Sequence, residues 1–181
     1  MNWVLLCVSL FVLSCQNQPL ASSKKPASTK SYVSLDLEYP EYQQTLNKLD
    51  AFLSTSLVNR GEAHITVITP PEFKTLTAKI SAETIHQEWE EWKTKNFKKV
   101  CLGEGSLKEK NLVFKTYYIV VEASELLAFR EHLKNKYAVE NFKASVFYPH
   151  ITLGFTEKDL HFEQGVIKDR KSCPKNLQQL L

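Results

Sequence analysis

The sequence lacks the residue clusters that mark common metal and nucleotide sites. It has four cysteines and five histidines, but no Cys-x-x-Cys pair and no close His/Cys spacing of the zinc type. No glycine-rich loop of the phosphate-cradling kind occurs. The formal net charge is only +3, which permits an anionic substrate but does not indicate a surface that coats nucleic acid. We therefore predict neither a metal nor a cofactor.

Positive charge is also missing from the start of the chain. Residues 1–14 are almost wholly apolar and carry no Lys or Arg. This run is too short to cross a bilayer as a helix and is typical of the apolar part of a signal peptide. It ends in Leu13-Ser14-Cys15, which resembles a bacterial lipobox and implies that Cys15 is lipidated.

From these residues we predict an exported protein. Its N-terminal lipid would hold it to a bacterial membrane, facing the periplasm or the exterior. A secreted protein with an ordinary cleaved signal and an uncleaved anchor are the alternatives. Residues 15–31 lack aromatic residues and are predicted to be a flexible tether. We predict a folded domain over residues 32–165, a C-terminal tail over 166–181, and a monomer.

What the chain does contain is one short pattern in two copies. His64-Ile65-Thr66 and His150-Ile151-Thr152 are each followed by apolar residues, and their β-branched content favours strands. Residues two apart in a strand share a face, so each copy presents a histidine beside a threonine. If the two strands are neighbours, two imidazoles and two hydroxyls line one cleft. Two histidines can divide acid and base catalysis near neutral pH, and fixed donors can stabilise charge on phosphorus.

The two motifs resemble the 2H phosphoesterase superfamily, which is named for paired His-x-Thr/Ser motifs and includes RNA 2′,3′-cyclic phosphodiesterases. The resemblance covers the chain from Tyr32 to Phe162. It implies an α+β fold of two related lobes, each with antiparallel strands and outer helices, and an active cleft between the lobes.

The resemblance also implies a function and site residues. The chain would be a metal-independent phosphodiesterase that hydrolyses 2′,3′-cyclic phosphates, or related 2′-5′ linkages, of nucleotides or RNA ends. His64 and His150 would be the catalytic acid–base pair, and Thr66 and Thr152 would bind phosphate oxygens. The residues leave open which histidine is the base. Two rival functions also stay open: an exported nucleotide-binding lipoprotein without turnover, and a metallohydrolase that uses both motif histidines and His161.

Periodicity predicts the remaining elements. Pro70-Pro71 is expected to end the first motif strand, and Ser81 to cap a helix. The predicted strands and helices, in chain order, are strand Tyr32–Glu38, helix Tyr42–Val58, the first motif strand, helix Ala82–Lys95, strands Lys98–Gly103 and Asn111–Val121, helix Ala123–Tyr137 and the second motif strand.

Further residues near the motifs or among the cysteines are candidates. Tyr148 and Phe155 flank the second motif and could contact a base or ribose, or could pack in the core. His161 is a candidate substrate contact at the rim of the cleft. Cys101 and Cys173 would form one disulfide in an exported protein, with two free thiols as the alternative.

Overall fold

The structure is a computed structural model that describes residues 30–181. The five strands, numbered along the chain, are β1 (Val33–Leu37), β2 (Ala63–Ile68), β3 (Lys98–Glu109), β4 (Leu112–Glu122) and β5 (His150–Phe155). The α-helices are α1 (Tyr39–Leu53), α2 (Pro70–Leu76), α3 (Ala82–Trp92) and α4 (Ser124–Lys136). Short 3-10 helices follow at Phe162–Gln164, Arg170–Ser172 and Lys175–Leu180.

The strands form one antiparallel sheet in the order β1-β2-β5-β4-β3. The first half of the chain supplies β1 and β2, and the second half supplies the other three strands. The halves meet at β2 and β5, where Ile65 is opposite Ile151. Antiparallel pairing then sets His64 across from Thr152 and Thr66 across from His150. The predicted α+β class is confirmed, and the two motif strands are neighbours.

The alternation within each motif strand separates core from cleft. Ile65, Val67 and Ile151 are fully buried, and Leu153 is almost so. The histidines and threonines between them keep part of their surface exposed. Burial of each of these aliphatic side chains contributes about 1.5–3 kcal/mol. The packed face therefore fixes which way the polar face of each motif points.

The helix predictions are right in kind and shifted at their ends. α1 begins at Tyr39, because Pro40 fits the first turn of a helix. It ends at Leu53 rather than Val58, since Ser54 adopts a left-handed φ of 51° and closes the helix. Val58 instead exchanges backbone hydrogen bonds with Phe155 at 2.8 and 2.9 Å. α3 begins after Ser81 as predicted, with the Ser81 hydroxyl accepting from the Thr84 amide.

A helix stands where the sequence predicted only a break. α2 starts at Pro70, directly after the first motif strand. Thr69 accepts a hydrogen bond from the Glu72 amide, and the Glu72 carboxylate accepts one from the Thr69 amide. Proline needs no amide partner in a first turn, so the proline pair begins this helix while it ends the strand.

Gly154 allows a close approach of two backbone segments. A Cβ atom at this position would lie 2.9 Å from Leu57 Cβ and 3.0 Å from the Val58 carbonyl oxygen. These distances are too short for any other residue. Glycine therefore lets the segment after α1 pair with the end of β5, next to the second motif.

Arg130 of α4 ties the two halves together. Its side chain is 1% exposed and donates to the Val67 carbonyl at 2.8 Å, the Ala144 carbonyl at 2.8 Å and Glu72 Oε1 at 2.7 Å. A buried guanidinium is tolerated when its donors are satisfied in this way. The network fixes the loop before β5 against β2 and α2.

The C-terminal tail packs on the sheet rather than leaving it. Cys101 of β3 and Cys173 form a disulfide with Cα atoms 6.1 Å apart. Leu177 is buried, and the Gln178 side chain bonds both the amide and the carbonyl of Leu102. The predicted signal peptide and Cys15 lie outside the described residues. Within residues 30–181, no helix combines the length and apolar character needed to cross a bilayer.

Candidate active site

A cavity of about 670 Å³ opens on the polar face of β2 and β5. All four motif side chains, His64, Thr66, His150 and Thr152, line it. A volume of this size suits a small organic ligand such as a nucleotide. The structure therefore brings together in one space the two imidazoles and two hydroxyls that the sequence predicted.

His150 is held by the backbone just before it. Its Nδ1 lies 2.8 Å from the Tyr148 carbonyl oxygen, which can only accept, so Nδ1 carries a proton. In the neutral ring Nε2 is then a free acceptor. Burial, and after it the charge of Lys168, lowers the pKa of His150 to about 3, against the opposing effect of the Tyr148 hydrogen bond. Neutral His150 can take a proton at Nε2.

His64 has a different partner. Its Nδ1 lies 3.5 Å from Glu62 Oε1, and its side chain is 19% exposed. Burial lowers the pKa of His64, while the Glu62 carboxylate raises it. A carboxylate beside an imidazole stabilises the protonated ring. Burial outweighs the carboxylate, so the pKa of His64 is lowered overall, but Glu62 stands at ion-pair distance and favours the imidazolium.

The two threonines come from opposite strands of the same pair. Each faces the histidine of the other motif, because the register places Thr66 beside His150 and Thr152 beside His64. Hydroxyl groups on a strand pair are held with little freedom, since χ1 of threonine is restricted. Hydroxyls held in this way can donate hydrogen bonds to an anionic group in the cavity.

Residues 31–161 match the family model of the Swiss Army Knife 2H phosphoesterase domain. The chain belongs to the 2H phosphoesterase family. The matched region contains both His-Ile-Thr sequences and ends before the C-terminal tail. No curated protein and no solved structure matches the chain. The family identifies a phosphoesterase, and the substrate must be argued from the site.

This phosphoesterase carries an aromatic pair at the cavity. The Tyr148 and Phe162 rings are stacked, with centroids 5.6 Å apart and planes 25° apart. Both line the cavity, and Phe162 is 51% exposed. The sequence singled out Tyr148, whereas Phe162 follows a loop and has no local pattern. The pair offers a flat apolar surface of the kind on which bases stack.

The other two predicted contacts fare differently. His161 lines the cavity and is exposed. Phe155 does not line this cavity. It is only 9% exposed and borders a small adjacent recess together with His64 and Thr152, because the backbone pairing with Val58 holds the end of β5 in place.

The sequence analysis missed a charged cluster in the cavity wall. Asp159 accepts from Arg60 at 3.2 Å through Oδ2, and from Thr116 at 2.9 Å and Lys168 at 3.2 Å through Oδ1. Asp159, Arg60 and Lys168 all line the cavity. The three charged residues come from separate segments, so no local pattern could have joined them. Burial alone would raise the pKa of Asp159. The charge of Lys168 and the hydrogen bond from Thr116 outweigh burial, so the pKa is lowered and the carboxylate stays ionised.

No group of three His, Cys, Asp or Glu side chains within residues 30–181 is arranged to hold a metal ion. His64, His150 and His161 share the cavity, but they do not form such a group. The polar groups that line the cavity include the two motif imidazoles, the two motif hydroxyls and the Asp159 cluster.

Proposed function

We propose that the protein is a phosphodiesterase that hydrolyses 2′,3′-cyclic phosphates, or related 2′-5′ linkages, of nucleotides or RNA ends without a metal. The convergence of two imidazoles and two hydroxyls on one cavity carries the proposal. The stacked pair Tyr148 and Phe162 supports a nucleotide as the ligand, because it can receive a base.

The different partners of the two histidines, a backbone carbonyl for His150 and a carboxylate for His64, support different roles for them. His150 Nε2 would take a proton from water as the water oxygen bonds to phosphorus. The phosphorus–oxygen bond to one ribose oxygen breaks, and His64 gives its proton to that oxygen. The products are a phosphomonoester and a free ribose hydroxyl. Thr66 and Thr152 would hold the non-bridging oxygens, where negative charge builds up.

The test is hydrolysis of 2′,3′-cyclic nucleotides and of a short RNA with a cyclic phosphate end, with EDTA present. His64→Ala and His150→Ala should each lose at least ~10²-fold in rate, the lower range for acid–base catalysis. Circular dichroism should show both variants folded. A single variant with full activity would refute the mechanism. Binding without turnover by the wild-type protein would favour a nucleotide-binding module.

We also propose export and lipid anchoring, supported by the apolar run of residues 1–14 and by Cys15. Two lipid anchors, such as two acyl chains, suffice to attach a protein stably to a membrane. Mass spectrometry of the mature protein should find a lipid on Cys15, and Cys15→Ala should release the protein from the membrane fraction. An unmodified N-terminus upstream of Cys15 would contradict this proposal.

A further inference from the structure

We propose that Lys168 is an anion-binding residue of the cavity and that its ammonium group contacts a non-bridging phosphoryl oxygen. This inference rests on the proposed phosphodiesterase function. Lys168 belongs to the C-terminal tail, beyond the region that matches the family model. The tail would then complete the site rather than follow it.

Lys168 carries a positive charge in a buried position, where the loss of hydration is unfavourable. The Lys168 side chain is 3% exposed, yet it lines the cavity. Removing an ammonium group from water costs several kcal/mol unless partners replace the water. Burial accordingly lowers the pKa of Lys168, and Asp159 opposes that effect. A buried cation that lines a cavity and has a specific charged partner is a candidate for a functional site.

Asp159 occupies only part of the hydrogen-bonding capacity of the Lys168 ammonium group. Within the described residues, one Lys168 hydrogen bond is seen, from Nζ to Asp159 Oδ1 at 3.2 Å. An ammonium group has three N–H donors. Asp159 is itself shared, because Arg60 and Thr116 also donate to it. The carboxylate therefore steers the lysine and leaves it donors for an anion in the cavity.

Lys168 lies near His150, because both side chains contact the ring of Tyr118. The Tyr118 ring contacts His150 edge-on, with centroids 5.6 Å apart. Lys168 Nζ lies 5.2 Å from the centroid of the same ring. Lysine and histidine thus surround one aromatic side chain. A phosphoryl group between the threonines and His150 would be within the field of this charge, which supplements neutral hydroxyl donors.

The segment of the tail that carries Lys168 is anchored on both sides of this residue. Cys173, five positions after Lys168, is joined to Cys101 of β3, and Val166, two positions before it, is buried. Asp169 caps the turn that follows, its side chain accepting from the Lys171 amide at 2.9 Å. The lysine is therefore held on both sides, as a preorganised binding residue must be.

The test uses the whole protein and inorganic phosphate as the probe, measured by calorimetry. Lys168→Met keeps the length of the side chain and removes its charge. A charge-assisted hydrogen bond contributes about 1.5–3 kcal/mol, so phosphate affinity should fall by about tenfold or more. Lys158→Met is the matched control, since Lys158 pairs with Glu109 and does not line the cavity. It should bind phosphate as the wild type does.

Nuclear magnetic resonance of the wild-type lysine side chains keeps the test valid if Lys168→Met fails to fold. Phosphate should shift the Lys168 ε-methylene signal, and Lys158 should not respond. Unchanged affinity in a folded Lys168→Met variant, an unmoved Lys168 signal, or no phosphate binding by the wild type would overturn the inference. Phosphate binding that depends on Lys168 in a protein that hydrolyses no cyclic phosphate would refute only the proposed function.

Discussion

The two motif histidines have the same sequence context but different neighbours. His150 bonds a backbone carbonyl that cannot change charge, whereas His64 faces a carboxylate that can. The first arrangement fixes a tautomer, and the second stabilises a proton. The difference lies in Glu62, which stands two positions before His64, where the second motif has Tyr148. It makes the assignment of acid and base testable.

Glu62→Gln should move the alkaline limb of the kcat/KM profile to lower pH. The proposed acid, His64, must be protonated, and its pKa is raised by the Glu62 carboxylate. Removing that charge lowers the pKa, so the protonated fraction falls at a lower pH. Glu157→Gln, at an exposed position outside the cavity wall, should leave the limb in place. A shift of the acid limb instead would assign the base role to His64.

His150 should make the protein less stable in acid. Its pKa is about 3 in the folded protein and about 6.5 when unfolded. Between these values the unfolded chain binds more protons, so the free energy of unfolding falls as pH drops from about 6.5 to 3. Urea denaturation should show a pH slope in this range that is larger in the wild type than in His150→Gln. Equal slopes would contradict the buried neutral state of His150.

Single residues also show what a sequence reveals about a site. His64 and His150 could be found because each stands in a repeated pattern whose strand geometry is local. Lys168 could not, because its proposed role depends on Asp159 and His150, which the tail reaches only after folding. Phe162 likewise gains meaning only from its stack with Tyr148. Site residues that lie outside a motif carry no local signal.

The ends of the helices and strands depend on capping and on strand pairing, which the periodicity of the sequence does not indicate. α2 was missed although Thr69 and Glu72 have the spacing of a capping box. The proline pair between them was interpreted only as a stop. The strands were predicted well, since alternation follows from one buried face, but β3 extends to Glu109 because β4 pairs along its whole length. Pairing partners are distant in sequence, so strand ends could not be predicted.

The contact between α4, α2 and the loop before β5 predicts a large effect for Arg130→Met. This change leaves the Val67 and Ala144 carbonyls without their donor and Glu72 without its buried partner. Loss of one member of a buried ion pair costs about 3–5 kcal/mol. The free energy of unfolding, measured in urea, should fall by about 3 kcal/mol or more.

Arg170→Met is the matched control for that measurement. Arg170 pairs with Glu122, but its side chain is 64% exposed. An exposed ion pair contributes about 1 kcal/mol or less. If the two arginine variants lost equal stability, the network of Arg130 would not hold the halves together as described.

In the whole molecule, the two halves of the sheet meet along one pair of strands, and a disulfide joins the C-terminal tail to β3. β2 and β5 meet at the motif residues, and the site spans that pair of strands. The resemblance to the 2H phosphoesterases implied one cleft that holds both motifs, and the structure makes the two motif strands neighbours. The sequence placed residues 166–181 outside the domain and linked them to it only through the predicted Cys101–Cys173 disulfide, because the short 3-10 helices of the tail have no periodic apolar stripe. The disulfide joins the tail to β3, and the proposed role of Lys168 would make the tail part of the functional unit.

Breaking the Cys101–Cys173 disulfide should therefore affect both stability and ligand binding. The cysteines are 72 positions apart, and closing a loop of that length lowers the entropy of the unfolded chain by the equivalent of about 4 kcal/mol. Cys101→Ser with Cys173→Ser should lose stability on this order, measured in urea. Phosphate affinity should also fall, because the segment that carries Lys168 loses its anchor. Reductant should bring the wild type to the level of the double variant and leave that variant unchanged. Equal stability with and without reductant would show that the tail is held by its packing alone.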